Sequence, residues 1–253
     1  MDIKLIVTDL DGTLLREDKT ISDYTQDVLR RVQARGIKVA YATGRGCHSV
    51  ELFPPGMFDG CAYNNGAVSM VGGTVVYERF IQAETGRKLL MACDNRGMVT
   101  GAQRGRKHYT NFDVHKRWGL DFEFEIVDFE QYNLNAEKIY VEECVSEDAE
   151  FIENHLPDEA YVILARDGLA MIMHREARKS NAVMALAQHW GIMPAEMVAF
   201  GDDLNDIDML TACGTGVVMD DAIDEVKAVS TVRADTNEND GVAKWLEANV
   251  LSS

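Results

Sequence analysis

Over the first third of the chain, the spacing of apolar and polar positions predicts alternating strands and helices. Residues 3–8 form a near-continuous apolar run, which is typical of a strand in a sheet covered on both faces. A helical stripe follows at Tyr24, Val28, Leu29 and Val32. Ser22 is placed to cap this helix and Gly36 to end it, and residues 37–44 form a second apolar strand. Strand, helix and strand in this order predict a right-handed crossover and a parallel sheet.

The same rhythm returns near the C-terminus. A helix is predicted over residues 179–190, ended by Gly191, and the strand MVAFG (197–201) comes next. In the N-terminal third, the pair Gly72-Gly73 lies between β-rich arms and predicts a hairpin.

The middle of the chain, residues 82–178, has a different pattern. It holds β-rich segments such as EKIYVEECV and LAMIMHR with one helix near 147–155, and it lacks strict strand–helix alternation. This pattern is typical of a small α+β domain inserted into an α/β domain. The sequence therefore predicts a core of residues 1–81 and 179–253 and an inserted domain at 82–178.

Two acids end the first strand, in the stretch DLDGT. Asp9 and Asp11 stand at positions i and i+2, so in extended geometry both side chains leave the same face. They also follow the carboxyl end of a strand, where open parallel sheets place their ligands. Turn chemistry is the alternative for this motif alone, because Asp and Gly often end strands.

Two further positions at element ends are candidates for binding an anion. Thr43 and Gly44, in ATGR after the second strand, offer a hydroxyl and a close backbone N–H, although such a strand exit is usually only a turn. Lys179 opens a helix, where the helix dipole disfavours a cation, so either a specific partner holds it there or it is an ordinary surface lysine.

An acidic loop, FGDDLNDIDML, follows the strand at 197–201. It carries Asp202, Asp203, Asn205, Asp206 and Asp208. Oxygen ligands at this density suit Mg²⁺, and the spacing is not that of an EF-hand loop. The alternative is a helix N-terminus, which favours acids through capping and the macrodipole, and Asp203 and Asp208 are the residues best explained in that way.

The net charge and the cysteine content of the sequence indicate which binding partners and which cellular compartment to expect. The 253 residues include 25 basic and 42 acidic ones, a net charge of −17, which repels nucleic acid and anionic lipid. We therefore expect no nucleic-acid and no membrane partner, and an anionic substrate only where a local site or metal reverses the sign. The five cysteines are scattered without a CxxC pair, and the first residues do not resemble a signal peptide. We expect a cytoplasmic protein.

The candidate residues occur in the order DxD, T, K and GDxxND. In this order the sequence resembles the haloacid dehalogenase superfamily, whose motifs are DxDGT, a Thr or Ser, a Lys and a paired acidic loop. NNGA (64–67), GTGVVM (214–219), Lys227 and NDGVAKWL (239–246) resemble its Cof-type subfamily, HAD-IIB. Ser180 departs from the pattern, because the family often has Gly just after the Lys. The resemblance implies an α/β fold, a Rossmann-like doubly wound parallel sheet, with an inserted α+β cap of type C2B.

The resemblance also implies roles for individual residues. Asp9 would be the nucleophile that forms an aspartyl-phosphate, and Asp11 the general acid and then the general base. Mg²⁺ would be held by Asp9, the backbone carbonyl of Asp11 and Asp202, with Asp206 positioning a metal-bound water or Lys179. The phosphoryl oxygens would be bound by Thr43, Lys179 and the backbone around Gly44, joined by Asn205. Gly12 would let the chain turn away beside the bound phosphate.

The implied function is a Mg²⁺-dependent phosphatase for small phosphomonoesters, namely sugar phosphates or phosphorylated cofactors such as flavin mononucleotide or pyridoxal phosphate. Family members that pump ions carry Thr where this chain has Asp11, so hydrolysis is favoured over a persistent phosphoenzyme. The alternatives are phosphomutase-type phosphoryl transfer and a non-catalytic phosphate- or metal-binding regulatory module. We expect a small phosphorylated metabolite as the partner, and a monomer or homodimer.

The resemblance assigns the inserted domain to a lid that excludes water and selects the leaving group. The basic runs RGRKHY (104–109) and HKRW (115–118) are its candidates for substrate contact, with Trp118 stacking. Solvated faces are the more common explanation of such runs.

Overall fold

The computed structural model describes residues 2–165 and 168–252. Its strands β1 to β14 are Leu5–Thr8, Lys38–Ala42, Gly60–Tyr63, Val68–Val71, Thr74–Glu78, Thr100–Arg104, Lys107–Thr110, Glu123–Ile126, Lys138–Val141, Ala160–Leu164, Ala170–His174, Met197–Gly201, Thr215–Met219 and Arg233–Ala234. Its helices α1 to α8 are Asp23–Ala34, Ala83–Asn95, Val114–Trp118, Ser146–His155, Lys179–Trp190, Ile207–Ala212, Asp224–Lys227 and Gly241–Leu246. None of the described helices has the length and apolar character needed to span a bilayer.

Short helical turns complete the secondary structure. Turns of the 3-10 type lie at Cys47–Leu52, Asn64–Gly66, Phe129–Gln131, Pro194–Glu196, Leu204–Asp206 and Asn237–Asn239, and a π-helical turn at Glu247–Leu251. The chain forms two compact units. The first unit comprises Met1–Glu78 and Arg178–Ser253, and the second unit comprises Arg79–Ala177.

The first unit is built on a sheet of strand order β14-β13-β12-β1-β2-β3-β4-β5. Pairing is parallel from β14 to β3 and antiparallel between β3, β4 and β5. Strand β1 lies between β12 and β2, and Leu5, Ile6 and Val7 are fully buried. This central position explains the uninterrupted apolar run. The predicted α/β class with a doubly wound sheet is confirmed, with an antiparallel hairpin added at one edge.

That hairpin joins β4 and β5 through Gly72 and Gly73. Both glycines have positive φ, 55° and 83°, as a two-residue turn of type I′ requires. Val71 and Thr74 face each other across the turn. The predicted hairpin is therefore confirmed.

Helix α1 follows the predicted pattern except at its first turn. The Ser22 side chain accepts a hydrogen bond from the Thr25 amide, and Val28, Leu29 and Val32 are buried. The prediction of Tyr24 in the apolar stripe is wrong. Tyr24 is 36% exposed and its hydroxyl donates to Glu247 at 2.8 Å, while Thr25 takes the buried position. The phenolic hydroxyl, which needs a polar partner, explains this orientation.

The second unit holds a separate sheet of order β10-β11-β9-β6-β7-β8, antiparallel except between β7 and β8. Helices α2 and α4 pack on it, with a core that includes Leu90, Ile139 and Ile152. Side chains alternate along a strand, so Lys138 and Tyr140 of β9 lie on the sheet face opposite to Ile139.

Candidate active site

Neighbouring strands bring Asp9 and Asp202 together. Strands β1 and β12 run parallel in register, with Thr8 opposite Phe200. Asp9 follows β1 directly, and its backbone N–H donates to the Phe200 carbonyl at 3.0 Å. Asp202 follows the end of β12. Two acids separated by almost 200 positions therefore meet at the carboxyl edge of the sheet, where parallel α/β folds place their ligands.

Asp9, Asp202 and Asp206 form a carboxylate cluster. Each offers one oxygen, and these oxygens all lie within 4.8 Å of one another. Burial raises the pKa of Asp9 to about 8 against the opposing charge of Lys179, and the nearby acids Asp206 and Asp202 raise it as well. Burial also raises the pKa of Asp202 to about 7, although a hydrogen bond from Thr13 lowers it. The cluster is a set of oxygen ligands that suits a hard divalent cation.

Lys179, the first residue of α5, lies buried between two of these acids. Its ammonium donates to Asp9 Oδ1 at 2.7 Å and to Asp206 Oδ1 at 2.6 Å. Burial alone lowers the pKa of Lys179, but the charges of Asp206 and Asp9 raise it above its ordinary value. A surface lysine, the alternative left open by the sequence, is therefore wrong. The two carboxylates hold the cation at a helix start, where the dipole disfavours it.

Asp206 is oriented by the loop that carries it. Its Oδ2 accepts hydrogen bonds from the backbone N–H groups of Asp202 and Asp203, both at 3.1 Å. Gly201 permits this approach, because a Cβ there would lie 2.5 Å from Asp206 Cβ. Asp206 thus connects the backbone of the acidic loop to the ammonium of Lys179.

Gly12 lies against Asp202. Gly12 has a φ of 79°, and a Cβ at this position would lie 2.3 Å from Asp202 Oδ2. The next residue, Thr13, donates from its hydroxyl to Asp202 Oδ1 at 2.5 Å. The loop after β1 therefore orients Asp202 as well as carrying Asp9.

Asp11 does not join the carboxylate cluster. Its side chain is 40% exposed, and Arg45 binds it through two hydrogen bonds of 2.6 Å, from Nε to Oδ2 and from Nη2 to Oδ1. Lys19 donates to Oδ1 at 2.9 Å. Burial raises the pKa of Asp11, but the bonds from Arg45 and Lys19 outweigh it and bring the pKa to about 2. Asp11 is therefore held as a carboxylate.

Arg45 and Lys19 were not among the predicted site residues. Arg45 directly follows Gly44 in ATGR, so a signal was present, since Arg forms paired hydrogen bonds with a carboxylate. Lys19 gave no such signal, because the sequence around it does not differ from that around an ordinary surface lysine.

Thr43, Gly44 and Asn205 lie in two loops linked by Asn65. Thr43 is buried, and its hydroxyl accepts a hydrogen bond from the Arg45 amide at 3.2 Å. A Cβ at Gly44 would lie 3.1 Å from Asn65 Oδ1, and this same oxygen accepts from Asn205 Nδ2 at 2.9 Å. Asn65 is a further residue absent from the predicted site, although it belongs to the quoted segment NNGA.

Gly66, in the same segment, fits closely against the start of α5. It has a φ of 91°, and a Cβ there would lie 2.2 Å from the Arg178 carbonyl oxygen and 2.9 Å from the Lys179 nitrogen. The NNGA turn therefore allows the backbone of α5 to approach closely at the position from which Lys179 enters the cluster.

The remaining polar residues of the acidic loop have structural partners. The Asp203 carboxylate accepts from the Leu204 amide, as expected of a capping residue. Asp208 accepts from the Ser180 hydroxyl at 2.8 Å. Ser180, the departure from the family pattern, thus bonds outside the cluster and leaves Lys179 in place.

Comparison with known proteins gives consistent matches over nearly the whole chain. A family model described as haloacid dehalogenase-like hydrolase matches residues 6–246. The 5-amino-6-(5-phospho-D-ribitylamino)uracil phosphatase YcsE of Bacillus subtilis (strain 168) is 29% identical over 257 residues, covering 99% of this chain and 97% of that protein. A solved sugar phosphatase of haloacid dehalogenase subclass IIB is 25% identical with a TM-score of 0.83, covering 97% of this chain and 98% of its own. A haloacid dehalogenase-like hydrolase from Bacteroides thetaiotaomicron, 24% identical, shares the fold with a TM-score of 0.85 over 97% of this chain and 99% of its own.

Proposed function

This chain belongs to the haloacid dehalogenase-like hydrolase family, and on that premise we propose that it is a Mg²⁺-dependent phosphatase of small phosphomonoesters. The family predicted from the motifs is confirmed. The observation that carries the proposal is the contact of Lys179 with Asp9 and Asp206 beside Asp202. A carboxylate that attacks a phosphate dianion meets like-charge repulsion, which an ammonium and a divalent cation together remove.

The donor set of the cluster fits Mg²⁺. Burial raises the pKa values of Asp9 and Asp202, and the nearby carboxylates raise them further. A divalent cation would compensate these charges. We assign Asp9, Asp202 and the backbone carbonyl of Asp11 as its ligands, with Asp206 acting through Lys179. When bound, the ion would neutralise phosphate charge and stabilise the charge that develops on the transferring group.

The first step is assigned to Asp9 and Asp11. An oxygen of the Asp9 carboxylate attacks phosphorus, an O–P bond forms, and the ester P–O bond breaks with the leaving oxygen taking a proton from Asp11. We assign the binding of the phosphoryl oxygens to side chains and backbone groups around Asp9. These are Lys179, the Thr43 hydroxyl, Asn205 and the backbone around Gly12 and Gly44. The product of this step is an aspartyl-phosphate on Asp9.

The second step uses Asp11 as a base. Asp11 takes a proton from a water molecule, the water oxygen attacks phosphorus, and the bond to Asp9 breaks to release phosphate. The hydrogen bonds from Arg45 and Lys19 keep Asp11 ionised, which suits this step. In the first step a carboxyl oxygen of Asp11 must carry the proton that goes to the leaving oxygen. At least one of the hydrogen bonds from Arg45 and Lys19 to Asp11 therefore has to break before this step.

We propose that the substrate is a small phosphorylated metabolite, either a sugar phosphate or a phosphorylated cofactor. Support comes from the similar proteins, one named a sugar phosphatase and one named for a phosphoribitylamino-uracil substrate. We propose that the second unit serves as the cap domain of the family. We also propose that the protein is cytoplasmic, because its five cysteines are scattered along the sequence and include no CxxC pair. The predicted assembly, a monomer or homodimer, stays a prediction.

A phosphate-release assay with the purified chain tests the proposal. p-Nitrophenyl phosphate, glucose 6-phosphate, flavin mononucleotide and pyridoxal phosphate are each tested with Mg²⁺ and with EDTA. We expect phosphate release that requires Mg²⁺ for at least one of them. A phosphomutase would instead convert a sugar phosphate to its isomer without free phosphate, and a regulatory module would bind phosphate without turnover. Either result would overturn the proposal.

A further inference from the structure

A cavity of about 350 Å³ lies wholly within the second unit, and its volume is in the range of small-molecule sites. Three rings line it, those of His108, Trp118 and Tyr140, together with the ammonium-bearing side chain of Lys138. His108 and Trp118 come from the two basic runs, 104–109 and 115–118, that the sequence marks as candidates for ligand contact. Part of each run therefore lines a cavity rather than a solvated face.

Lys138 lies on the face of the second sheet opposite to the buried core residue Ile139. Within residues 2–165 and 168–252, no side chain accepts a hydrogen bond from its ammonium. Burial lowers the pKa of Lys138 to about 8, and the charge of neighbouring Glu137 offsets this only in part. A half-buried ammonium that lines a cavity and has no side-chain acceptor there favours a ligand that brings a negative or carbonyl oxygen.

The two acids at the edge of the cavity are already paired. The Glu142 carboxylate accepts hydrogen bonds from the Trp118 indole N–H and from Arg117. Arg117 also bonds Glu143 at 2.8 Å. Arg117 thus pairs with both acids, and Lys138 remains the donor of the cavity lining that has no side-chain acceptor among the described residues.

The aromatic rings are held in place before any ligand arrives. The His108 ring centroid lies 5.2 Å from that of Trp118 and 5.8 Å from that of Tyr140, and His108 Nδ1 is 3.1 Å from Tyr140 Oη. Gly101 leaves room for this tyrosine, because a Cβ at Gly101 would lie 2.7 Å from Tyr140 Oη. His108 and Tyr140 are buried, and one face of His108 stacks on Phe122, so these rings offer their exposed edges to a planar ligand at little entropic cost.

We propose that this cavity binds a planar heterocycle carrying carbonyl or carboxylate oxygens, with Lys138 donating to an oxygen and Trp118, His108 and Tyr140 contacting the ring. The heterocycle is either part of the phosphoester substrate or a separate ligand. Only the first of these two sources rests on the proposed phosphatase function.

Calorimetric titration of the whole chain with orotate tests the proposal, since orotate is a planar pyrimidinedione carboxylate without a phosphate group. We expect Lys138→Met to weaken orotate binding by about 10- to 100-fold, the loss that follows from removing a hydrogen bond to a charged group. Lys138→Arg should recover part of the affinity. Lys116→Met is the matched control, because Lys116 belongs to the same unit and is 85% exposed. Circular dichroism establishes that each variant is folded.

Two results would overturn the proposal. One is the absence of orotate binding at millimolar concentration to the wild-type chain. The other is an equal affinity in folded Lys138→Met, folded Lys138→Gln and wild type, which would mean that the ammonium takes no part.

The source of the heterocycle is distinguished with orotidine 5′-monophosphate and ribose 5-phosphate, which share the phosphoester and differ in the ring. If the ring belongs to the substrate, the kcat/KM ratio of the first over the second falls about 10- to 100-fold in Lys138→Met, and orotate inhibits competitively. If the ring is a separate ligand, the ratio does not change and inhibition is non-competitive. Failure of every phosphoester to turn over would defeat the phosphatase proposal, while orotate titration would still decide the cavity proposal.

Discussion

The ammonium of Lys179 lies between two buried carboxylates, 2.7 Å from Asp9 and 2.6 Å from Asp206. These three side chains come from three separate elements, the end of β1, the start of α5 and the loop after β12. The Lys179 ammonium therefore bridges Asp9, the proposed nucleophile, and Asp206 of the acidic loop. Removal of the Lys179 ammonium leaves both carboxylates buried without compensation, so the site contributes to stability as well as to chemistry.

Lys179→Met should lower both stability and turnover. The substitution leaves the buried Asp9 and Asp206 without their cation, and breaking a buried ion pair costs about 3 kcal/mol or more. We expect the urea midpoint to fall accordingly and kcat to fall by at least about 100-fold, as loss of charge stabilisation at a reacting centre does. Lys116→Met, which removes an exposed cation, is the control and should leave both values close to wild type. An unchanged midpoint in Lys179→Met would contradict the ion-pair geometry.

Asp9→Asn should abolish hydrolysis while the chain stays folded. The amide is nearly the same size as the carboxylate but is a far poorer nucleophile, so no aspartyl-phosphate forms. Acid quench after mixing with labelled substrate would detect the phosphoenzyme in wild type and not in the variant. Circular dichroism and a thermal melt test folding. Retained turnover in Asp9→Asn would assign the nucleophile elsewhere.

Metal affinity should depend on Asp202. We expect Mg²⁺ to raise the melting temperature of the wild-type chain, because a ligand that binds only the folded state stabilises it. Asp202→Asn removes one charged ligand, and the Mg²⁺ concentration for half-maximal activity should rise by about 10-fold or more. The matched substitution is Asp203→Asn, since the Asp203 carboxylate lies outside the carboxylate cluster and caps the turn that follows it. Equal Mg²⁺ dependence in the two variants would remove Asp202 from the ligand set.

The meeting of Asp9 and Asp202 was predictable from the sequence. Two apolar strands each end in acids, and the carboxyl ends of parallel strands meet at one edge of the sheet. Lys179 was predictable only from the order of motifs, since its position at a helix start also fits a surface lysine. The sequence pattern carries no information on how deep in the fold a helix begins. Here the start of α5 lies close against Gly66, which a Cβ at that position would prevent.

Other parts of the site lay beyond sequence reasoning. Which carboxylate Arg45 or Lys19 binds depends on tertiary distances, and local spacing does not encode them. Asn65 bonds Asn205 across 140 positions of the chain. Tyr24 was misassigned for a related reason, because its apolar ring matches the helical stripe while its hydroxyl finds Glu247 at the surface. The spacing of apolar residues predicts which face of a helix is buried. Whether a single residue on that face departs from the pattern depends on the polar partner that its side chain finds.

Arg45→Met should slow the second chemical step more than the first. Arg45 binds both oxygens of Asp11 and, with Lys19, keeps it ionised, as the base for water attack must be. We expect steady-state kcat to fall by about 10-fold or more while the aspartyl-phosphate accumulates, visible as a larger fraction of acid-trapped phosphoenzyme. Arg30→Met, on the exposed face of α1, is the control. A fall in both turnover and trapped phosphoenzyme would place Arg45 in the first step instead.

Gly12→Ala should disturb Asp202 beyond the cost of backbone strain. The φ of 79° at Gly12 disfavours any residue with a Cβ by about 1 kcal/mol, and this Cβ would also lie 2.3 Å from Asp202 Oδ2. Gly56→Ala is a matched control, because Gly56 has a φ of 85° and, apart from its two neighbours in sequence, no described residue has an atom within 4 Å of its Cβ position.

We expect both variants to lose about 1 kcal/mol of unfolding free energy from strain, measured by urea denaturation. Only Gly12→Ala should lose more and also need a higher Mg²⁺ concentration for half-maximal activity, because its Cβ displaces a proposed metal ligand. Equal losses with unchanged Mg²⁺ dependence would mean that Asp202 moves aside freely. In that case Gly12 would serve only the turn after β1, and the orientation of Asp202 would depend on its bond from Thr13 alone.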